Sequence, residues 1–296
     1  MYDLIIIGAG PSGVAAAIYA KRSGLNTIII EKGIIGGLMN YTNLVENYPG
    51  FTSITGPELS EKFKEHLESL DIEIKKEEVI NLIPGEVKKV ITKNNEYTAK
   101  CVLVATGRSP KKLGLSGEDK LFGRGISYCA LCDAPFYKGK VVAVVGSGNS
   151  AFEEGTYLAK FAKEVIVLTR GSSPRADEFL QDKLKEYKNV TIRSNTNIKK
   201  INGTDKLESI IINDNEEELK VDGLFIYVGY EPATKFMIDL GVCDERGYIL
   251  TDDKYETKVD GVFAVGDVEK KNIYQIVTAV SEGATAAVNV YSKISN

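Results

Sequence analysis

Short, uninterrupted runs of apolar residues recur along the chain, and polar or glycine-rich segments separate them. They lie at residues 4–7, 27–30, 102–105, 141–145 and 165–168. Continuous apolar runs of this length are typical of parallel strands that are buried on both faces. Several intervening stretches place apolar residues at helical spacing. The pattern therefore predicts an α/β fold in which strands and helices alternate.

Two further segments refine this prediction. Residues 87–99 are interpreted as two strands that turn near Asn94 and Asn95, followed by a separate strand at 102–105. Thr55 and Glu58 have the spacing of a capping box, which predicts that a helix begins there.

The first strand runs into a glycine-rich turn. Gly8, Gly10 and Gly13 form a G-x-G-x-x-G motif, residues 14–22 follow as a helix, and the next strand ends at Glu31. Such glycines permit a tight turn and a close approach of a dinucleotide pyrophosphate, whose charge the helix N-terminus stabilises. An acidic residue at the end of the second strand accepts hydrogen bonds from a ribose. The order of these features predicts a dinucleotide-binding domain.

The same plan recurs in the second half of the chain. Gly146, Gly148 and Ala151 follow the strand at 141–145, and the strand ends at 105–110 and 228–232 occupy equivalent places. The chain therefore reads as an internal repeat of two Rossmann-like dinucleotide-binding domains.

The end of the chain carries one more strand and helix, which are too small for a third domain. The strand ends at Gly266 and Asp267, where Asp267 is a candidate to bond a sugar-like hydroxyl. We expect this unit to join the first sheet, so that the second domain is inserted into the first. The predicted domains are residues 1–113 with 247–296, and residues 117–241.

Cys129 and Cys132 form a C-x-x-C pair between the two glycine turns. A dithiol in this place suggests electrons passing from a nucleotide to a flavin and then to a disulfide, since such a pair supplies both an attacking and a resolving thiol. The alternatives are a structural zinc half-site or two buried thiols. Cys101 and Cys243 stand alone, and the single histidine, His66, lies in a charged run, so no metal site is predicted.

Composition limits the class of partner. Apolar residues make up 43% and charged residues 26% of the chain, and the net charge of −4 favours neither nucleic acid nor an anionic membrane as partner. No apolar run reaches the roughly 18 residues of a membrane span. The N-terminus lacks a basic segment, which argues against a signal peptide. One close cysteine pair is consistent with a reducing cytoplasm.

Taken together, the motifs resemble those of the low-molecular-weight thioredoxin reductases over essentially the whole chain. They lie at residues 8–13, 45–51, 105–107, 129–133, 146–151 and 261–267. The resemblance implies FAD in the first domain, a nicotinamide nucleotide in the second, a homodimer, and thioredoxin or a thioredoxin-like protein as partner. The FAD residues that it implies are Gly8, Gly10, Gly13, Glu31, Gly37, Asn47, Ala105, Thr106, Gly107, Gly266, Asp267 and Gln275. Those for NAD(P)H are Gly146, Gly148, Asn149, Ala151, Arg170 and Arg175.

The resemblance also implies catalytic roles. Cys132 lies nearer the flavin, Cys129 attacks the partner disulfide, and Asp133 protonates a departing thiolate. A helix-capping carboxylate is the alternative for Asp133. In the family the second domain rotates to present the dithiol to flavin and partner in turn, here about linkers near residues 113–117 and 241–247.

The chain departs from the family at several positions. Thr169, Arg170 and Gly171, with Arg175 downstream, stand where NADPH-using members have His-Arg-Arg and a later Arg. No acidic residue that would favour NADH ends the strand at Thr169, and Arg170 and Arg175 can hold a 2′-phosphate, so NADPH is the first expectation. NADH, ferredoxin or a deazaflavin are the alternative donors. The other departures are Leu38 and Met39 for Gln-Leu near the flavin, Tyr274 for an Arg before Gln275, and Leu131 and Ala134 for Thr and Gly beside the dithiol.

Two rival functions stay open at this point. One is a flavin-dependent reductase of a peroxiredoxin-type partner that uses the same dithiol. The other is a flavin-binding redox sensor whose C-x-x-C does not turn over. Turnover of a disulfide substrate separates the sensor from both reductases.

Overall fold

The computed structural model describes residues 1–42, 44–213 and 215–295. Its chain divides into two compact units, of which the first contains residues 1–109 and 231–296 and the second contains residues 110–230. The strands are β1 (Tyr2–Ile7), β2 (Thr27–Ile30), β3 (Glu73–Lys75), β4 (Val79–Ile83), β5 (Lys88–Thr92), β6 (Glu96–Val104), β7 (Arg108–Pro110), β8 (Ile126–Ser127), β9 (Val141–Val145), β10 (Glu164–Leu168), β11 (Val190–Arg193), β12 (Ile198–Asn202), β13 (Ser209–Ile212), β14 (Glu217–Lys220), β15 (Gly223–Ile226), β16 (Tyr230–Pro232) and β17 (Val262–Ala264). The α-helices are α1 (Pro11–Arg22), α2 (Gly56–Ser69), α3 (Glu118–Leu121), α4 (Ala130–Asp133), α5 (Asn149–Ala159), α6 (Glu178–Lys185) and α7 (Ile276–Ser295).

The first unit is built on a sheet with the strand order β3-β2-β1-β6-β5-β4, in which β17 also pairs with β6. The strands β3, β2, β1, β6 and β17 are parallel, and the central ones are buried on both faces, as their continuous apolar runs predict. The last βα unit therefore joins the first sheet, as expected.

The second unit repeats this plan. Its parallel sheet has the order β11-β10-β9-β15-β8, and β12, β13 and β14 form a separate antiparallel sheet. In both units the glycine turn follows a central strand, β1 in one and β9 in the other. The predicted α/β fold with two Rossmann-like units, the second inserted into the first, is confirmed.

One strand prediction is wrong. β6 is a single strand over Glu96–Val104, whereas the sequence suggested a hairpin arm followed by a separate strand at 102–105. Its first half pairs with antiparallel β5 and is partly exposed, while its second half pairs with parallel β17 and is buried. The change of partner alters the burial pattern within one strand. The capping box at Thr55 and Glu58 is confirmed, because each side chain bonds the backbone N–H of the other.

The segments predicted as linkers lie inside the units. Glu118 is 3% exposed, and its carboxylate accepts hydrogen bonds from the N–H groups of Leu113, Gly114 and Leu115, which ties residues 113–115 into the second unit. Met237, Val242 and Ile249 are buried in the core against the first sheet, which does the same for residues 241–247. The chain passes between the units earlier, at 109–110 and at 230–231.

The N-terminal helix of the first unit is packed closely against α7. A Cβ on Gly283 of α7 would stand 2.1 Å from the backbone oxygen of Ser12 in α1. Since backbone atoms cannot yield as a flexible side chain does, glycine is required where these helices cross. Among the described helices, none has the length and apolar character to span a bilayer.

This crossing generates a prediction for stability. Replacing Gly283 with Ala forces α1 and α7 apart, and overpacking of this kind costs about 1–3 kcal/mol. We expect the melting temperature, followed by helical circular dichroism, to fall accordingly. The control is Ser281→Ala, an exposed position on the same helix, for which a change below about 0.5 kcal/mol is expected. A Gly283→Ala protein that melts with the wild type would contradict the close crossing.

Candidate active site

The three glycines of the first turn have distinct surroundings. A Cβ on Gly8 would stand 2.4 Å from the Ala105 oxygen, and one on Gly13 would stand 2.0 Å from the Gly8 oxygen. Among the described residues, no heavy atom lies within 4 Å of a Cβ placed on Gly10. The outer glycines are thus needed for the turn and for packing, and the middle one borders open space at the N-terminus of α1. This is the arrangement that a dinucleotide pyrophosphate requires, so the residues present fit FAD.

Other predicted FAD residues lie around this turn. A Cβ on Gly37 would lie 3.5 Å from the Cα of Gly10. The Glu31 carboxylate accepts hydrogen bonds from the N–H groups of Ala9 (2.7 Å) and Gly33 (2.6 Å), which ties the turn to the end of β2. A cavity of about 90 Å³ opens here, and Gly8, Glu31 and Thr106 are among its lining residues.

Asp267 has a protein partner that sequence reasoning missed. Its carboxylate accepts hydrogen bonds from Nη2 (2.9 Å) and Nε (3.2 Å) of Arg108, whose guanidinium carbon lies 4.1 Å from the centre of the Tyr274 ring. Glu282 was also missed: it accepts the N–H of Gly266 at 2.8 Å and pairs with Lys271. Arg108 directly follows Gly107, a predicted FAD residue, and this position is the sequence feature that could have indicated it.

Three more candidates, Asn47, Thr106 and Gln275, make hydrogen bonds within the first unit. Asn47 Nδ2 donates to Gln275 Oε1 at 3.2 Å, although 228 positions separate them. Thr106 Oγ1 donates to the Ala233 oxygen at 2.9 Å.

The second glycine turn repeats the division seen in the first. A Cβ on Gly146 would lie 2.4 Å from the Tyr227 oxygen and 2.8 Å from the Cβ of Ala151, whereas Gly148 faces open space among the described residues. A cavity of about 170 Å³ adjoins Gly148, Asn149 and Arg175. The turn therefore has the geometry for a second dinucleotide.

The two candidate arginines differ in their surroundings. Arg175 Nε donates to Ser147 Oγ at 3.0 Å, and its N–H donates to the Ser147 oxygen, so this residue lies at the glycine turn. Arg170 is exposed after β10. Asn149 is bound to Asp177 through two hydrogen bonds, which fixes the residue that opens α5.

Cys129 and Cys132 form a disulfide at the start of α4. Cys129 is the N-cap residue: its sulfur lies 3.1 Å from the N–H of Cys132, and Ser127 Oγ accepts its own N–H at 3.0 Å. Cys129 is 8% exposed, whereas Cys132 is exposed. Asp133 ends the helix and makes no capping hydrogen bond to the 3-10 turn that follows, so the capping alternative has no support among the described residues.

A part-buried polar pair next to α4, Glu154 and Tyr227, is the main feature that the sequence did not reveal. Tyr227 accepts the N–H of Ala130 at 2.8 Å and donates to Glu154 Oε2 at 3.5 Å. Burial, and next the charge of Glu153, raise the pKa of Glu154 to about 7, while Tyr227 and the N–H groups of Ala130 and Leu131 act in the opposite direction. The remaining cysteines differ from the dithiol: burial raises the pKa of Cys101 to about 11 and also raises that of Cys243.

Fold and site together define a nucleotide-dependent disulfide oxidoreductase. Residues 2–283 match the family described as pyridine nucleotide-disulphide oxidoreductase, and the chain belongs to that family, which implies FAD and a pyridine nucleotide. Within it, the chain is 45% identical to thioredoxin reductase of Bacillus subtilis, over 98% of this chain and 94% of that protein. The prediction of a flavin-dependent thioredoxin-disulfide reductase is confirmed.

Solved structures agree with this assignment. Thioredoxin reductase of Lactococcus lactis is 40% identical with a TM-score of 0.90, and the match covers 100% of this chain and 99% of that one. A ferredoxin-flavin thioredoxin reductase of Clostridium acetobutylicum is 35% identical with a TM-score of 0.56, over 99% of this chain and 98% of that one.

Proposed function

We propose that this protein reduces thioredoxin or a thioredoxin-like protein through Cys129 and Cys132, with FAD in the first unit and NADPH as the first donor. The disulfide at the start of α4, in the unit that carries the second glycine turn, supports this most directly. FAD, when bound, supplies the electron pair that opens the disulfide. The homodimer and the cytoplasmic location belong to the same proposal, the latter because a single redox-active cysteine pair suits a reducing compartment.

The chain's own residues then complete the exchange. Breaking the Cys129–Cys132 bond takes two electrons and two protons and leaves two thiols. Cys129, as thiolate, attacks the partner disulfide and forms a mixed disulfide, and the partner's departing sulfur receives a proton from Asp133. Cys132 attacks the sulfur of Cys129, which restores the internal disulfide and releases the partner reduced. Each turn of the cycle moves one electron pair onto the partner.

Within the first unit, we assign Gly8, Gly10 and Gly13 to the pyrophosphate of FAD and Glu31 to its ribose. Gly266, Asp267 and the remaining predicted FAD residues are assigned to the same cofactor. In the second unit, Gly146, Gly148, Asn149 and Ala151 hold the nicotinamide nucleotide. Arg170 and Arg175 are assigned to its 2′-phosphate.

The open space at Gly10 and Gly148 gives a reciprocal test of these assignments. Both glycines have φ values that any residue adopts, −72° and −93°, so a valine at either position folds without backbone strain. We expect Gly10→Val to weaken FAD binding at least about tenfold, which is about 1.4 kcal/mol. Gly148→Val should keep the flavin and slow its reduction by nicotinamide nucleotide.

The measurement is the yellow colour of the purified protein, with flavin released by heat and identified as FAD by chromatography. Wild-type protein that is colourless and takes up no added FAD would refute the proposal. A Gly10→Val protein that holds FAD as tightly as the wild type would refute the assignment of this turn.

The dithiol is tested by replacing each sulfur. Cys129→Ser is expected to abolish disulfide reduction and to leave the flavin bound and reducible. Cys132→Ser should be equally inactive and should trap a mixed disulfide with the partner through Cys129, visible by mass. Cys243→Ser is the control, because it lies in the first unit and outside the dithiol, and its turnover should stay within about twofold of wild type. Near-normal turnover by either dithiol variant would show that these cysteines are not part of the mechanism. The redox-sensor hypothesis requires that even the wild-type protein does not turn over a disulfide substrate.

The electron donor is the finer part of the proposal. Arg175 lies at the glycine turn, and among the described residues β10 is not followed by an acidic side chain that would favour NADH. Gly171 supplies no charge where the family has its second Arg, and one charge-assisted hydrogen bond contributes about 1.5–3 kcal/mol. We therefore expect a preference for NADPH that is about ten- to a hundredfold weaker than with both arginines. NADH ranks second.

A non-nicotinamide donor ranks third, and the likeness to the ferredoxin-flavin enzyme supports keeping it. A plant-type ferredoxin near −400 mV has a lower potential than thioredoxin near −270 mV, so the transfer is downhill. The test is anaerobic mixing with each donor while the flavin absorbance is followed. Bleaching by ferredoxin or reduced deazaflavin within seconds, with none by millimolar NADPH or NADH, would overturn the ranking.

A further inference from the structure

The first turn of α4 lies against a part-buried acid and a part-buried phenol. In a helix the first N–H groups have no partner within the helix. Here Ala130 N–H donates to Tyr227 Oη at 2.8 Å, and the N–H groups of Ala130 and Leu131 act to lower the pKa of Glu154. Cys132 N–H points to Cys129 Sγ at 3.1 Å. Asp133 N–H donates to the Cys129 oxygen at 3.2 Å.

Glu154 reaches this turn from α5, the helix that opens at the second glycine turn. Its carboxylate accepts the Tyr227 hydroxyl at 3.5 Å, and Tyr227 directly follows β15. Both groups belong to the second unit, and the Tyr227 hydroxyl contacts the backbone of Ala130, which lies between the two cysteines. Glu154 is therefore linked to the dithiol helix through Tyr227.

Among the described residues, few charged groups surround the Glu154–Tyr227 pair. On α5 the neighbour is Glu153, which is exposed, and the charge of Tyr230 acts to raise the pKa of Tyr227. On α4 they are the two cysteines and Asp133. β9 carries no titratable side chain, and β10 carries only Glu164, at its first residue. The charged residues of α6, which also packs on α5, are exposed; they are Glu178, Asp182, Lys183 and Lys185.

We propose that Glu154, held by Tyr227, is a positioning residue for the dithiol helix, and that its carboxylate opposes a thiolate at Cys129–Cys132. Two effects act together. Tyr227, whose hydroxyl donates to the carboxylate, accepts the Ala130 N–H that would otherwise favour negative charge at the sulfurs, and the carboxylate adds a like charge from the helix that packs against α4. When Glu154 carries a proton, the second effect is relieved. This inference rests on the proposed function only in taking Cys129–Cys132 as the redox dithiol.

The sign of the pH effect follows from the buried state of the acid. Because burial raises the pKa of Glu154 to about 7, the carboxyl is protonated below that pH and ionised above it. Opposition to the thiolate therefore weakens as the pH falls below about 7 and strengthens as the pH rises above it. Replacing Glu154 with Gln removes the opposition at every pH.

The test is the rate at which iodoacetamide alkylates the reduced dithiol between pH 6 and pH 9. The full-length flavin-loaded protein is reduced under anaerobic conditions, and peptide masses separate Cys129 and Cys132 from Cys101 and Cys243. In Glu154→Gln we expect the midpoint of the profile for the faster sulfur to fall by about 0.5–1 pH unit, with the two profiles merging near pH 6. A structural role alone would leave this midpoint in place.

Two further variants sharpen the result. Tyr227→Phe removes the hydroxyl that favours the Glu154 carboxylate, so the pKa of Glu154 rises and the thiol midpoint should fall by a smaller amount. Glu178→Gln removes an exposed charge from the neighbouring helix α6 and should leave the midpoint within about 0.2 pH unit. Flavin content and melting temperature confirm that each variant is folded.

A Glu154→Gln profile that coincides with wild type overturns the proposal, and so does an equal shift in Glu178→Gln. If Glu154→Gln does not fold, Tyr227→Phe decides, because a wild-type midpoint there has the same meaning. The assay needs neither donor nor thioredoxin. A predicted shift in a protein that reduces no thioredoxin would therefore refute the proposed function alone, and an unchanged profile in an active enzyme would refute this inference alone.

Discussion

Backbone-to-backbone contact around α1 is the constraint on which the first unit depends. On one side a Cβ at Gly13 would meet the Gly8 oxygen at 2.0 Å, and on the other a Cβ at Gly283 would meet the Ser12 oxygen at 2.1 Å. α1 is thus held between the sheet turn and α7 with no room for a side chain on either side. That position directs its first N–H groups toward the open space at Gly10. Packing of the helix and its capacity to receive a phosphate are consequently set by the same few atoms.

The glycine turn of the second unit is packed as closely as that of the first, with an alanine in place of one glycine. Ala151 stands where the first unit has Gly13, and its Cβ is accommodated because Gly146 has none. The helix that begins here, α5, serves two sites. Its N-terminus borders Gly148, and one turn further on Glu154 reaches the dithiol helix. A nucleotide turn and a redox-active turn are therefore supported by a single short helix.

Local patterns predicted most of the fold and the motifs of the site, and non-local contacts account for what was missed. The buried parallel strands and the glycine turns are encoded in consecutive residues, so they could be read directly. β6 could not, because its pattern changes where its neighbour changes from β5 to β17. The partners of Glu154 and Arg108 lie 73 and 159 positions away along the chain. No spacing rule links residues so distant, and only the folded backbone brings them together.

The position of Glu154 bears on how a C-x-x-C pair is kept reducing. Where a thiolate is strongly stabilised, the reduced form is favoured and the pair becomes an oxidant. A reductase needs the reverse, namely a reduced form that gives up its electrons readily, yet it still needs some thiolate to attack. Ala130 N–H donates to Tyr227, whose hydroxyl in turn donates to the Glu154 carboxylate, and this meets the first need because the amide is then withheld from the sulfurs. A pKa of about 7 meets the second, because the acid is then only partly ionised near neutral pH. Glu154 in this way balances the reducing strength of the dithiol against the nucleophilicity of its thiolate, although Glu154 itself neither carries electrons nor attacks the partner.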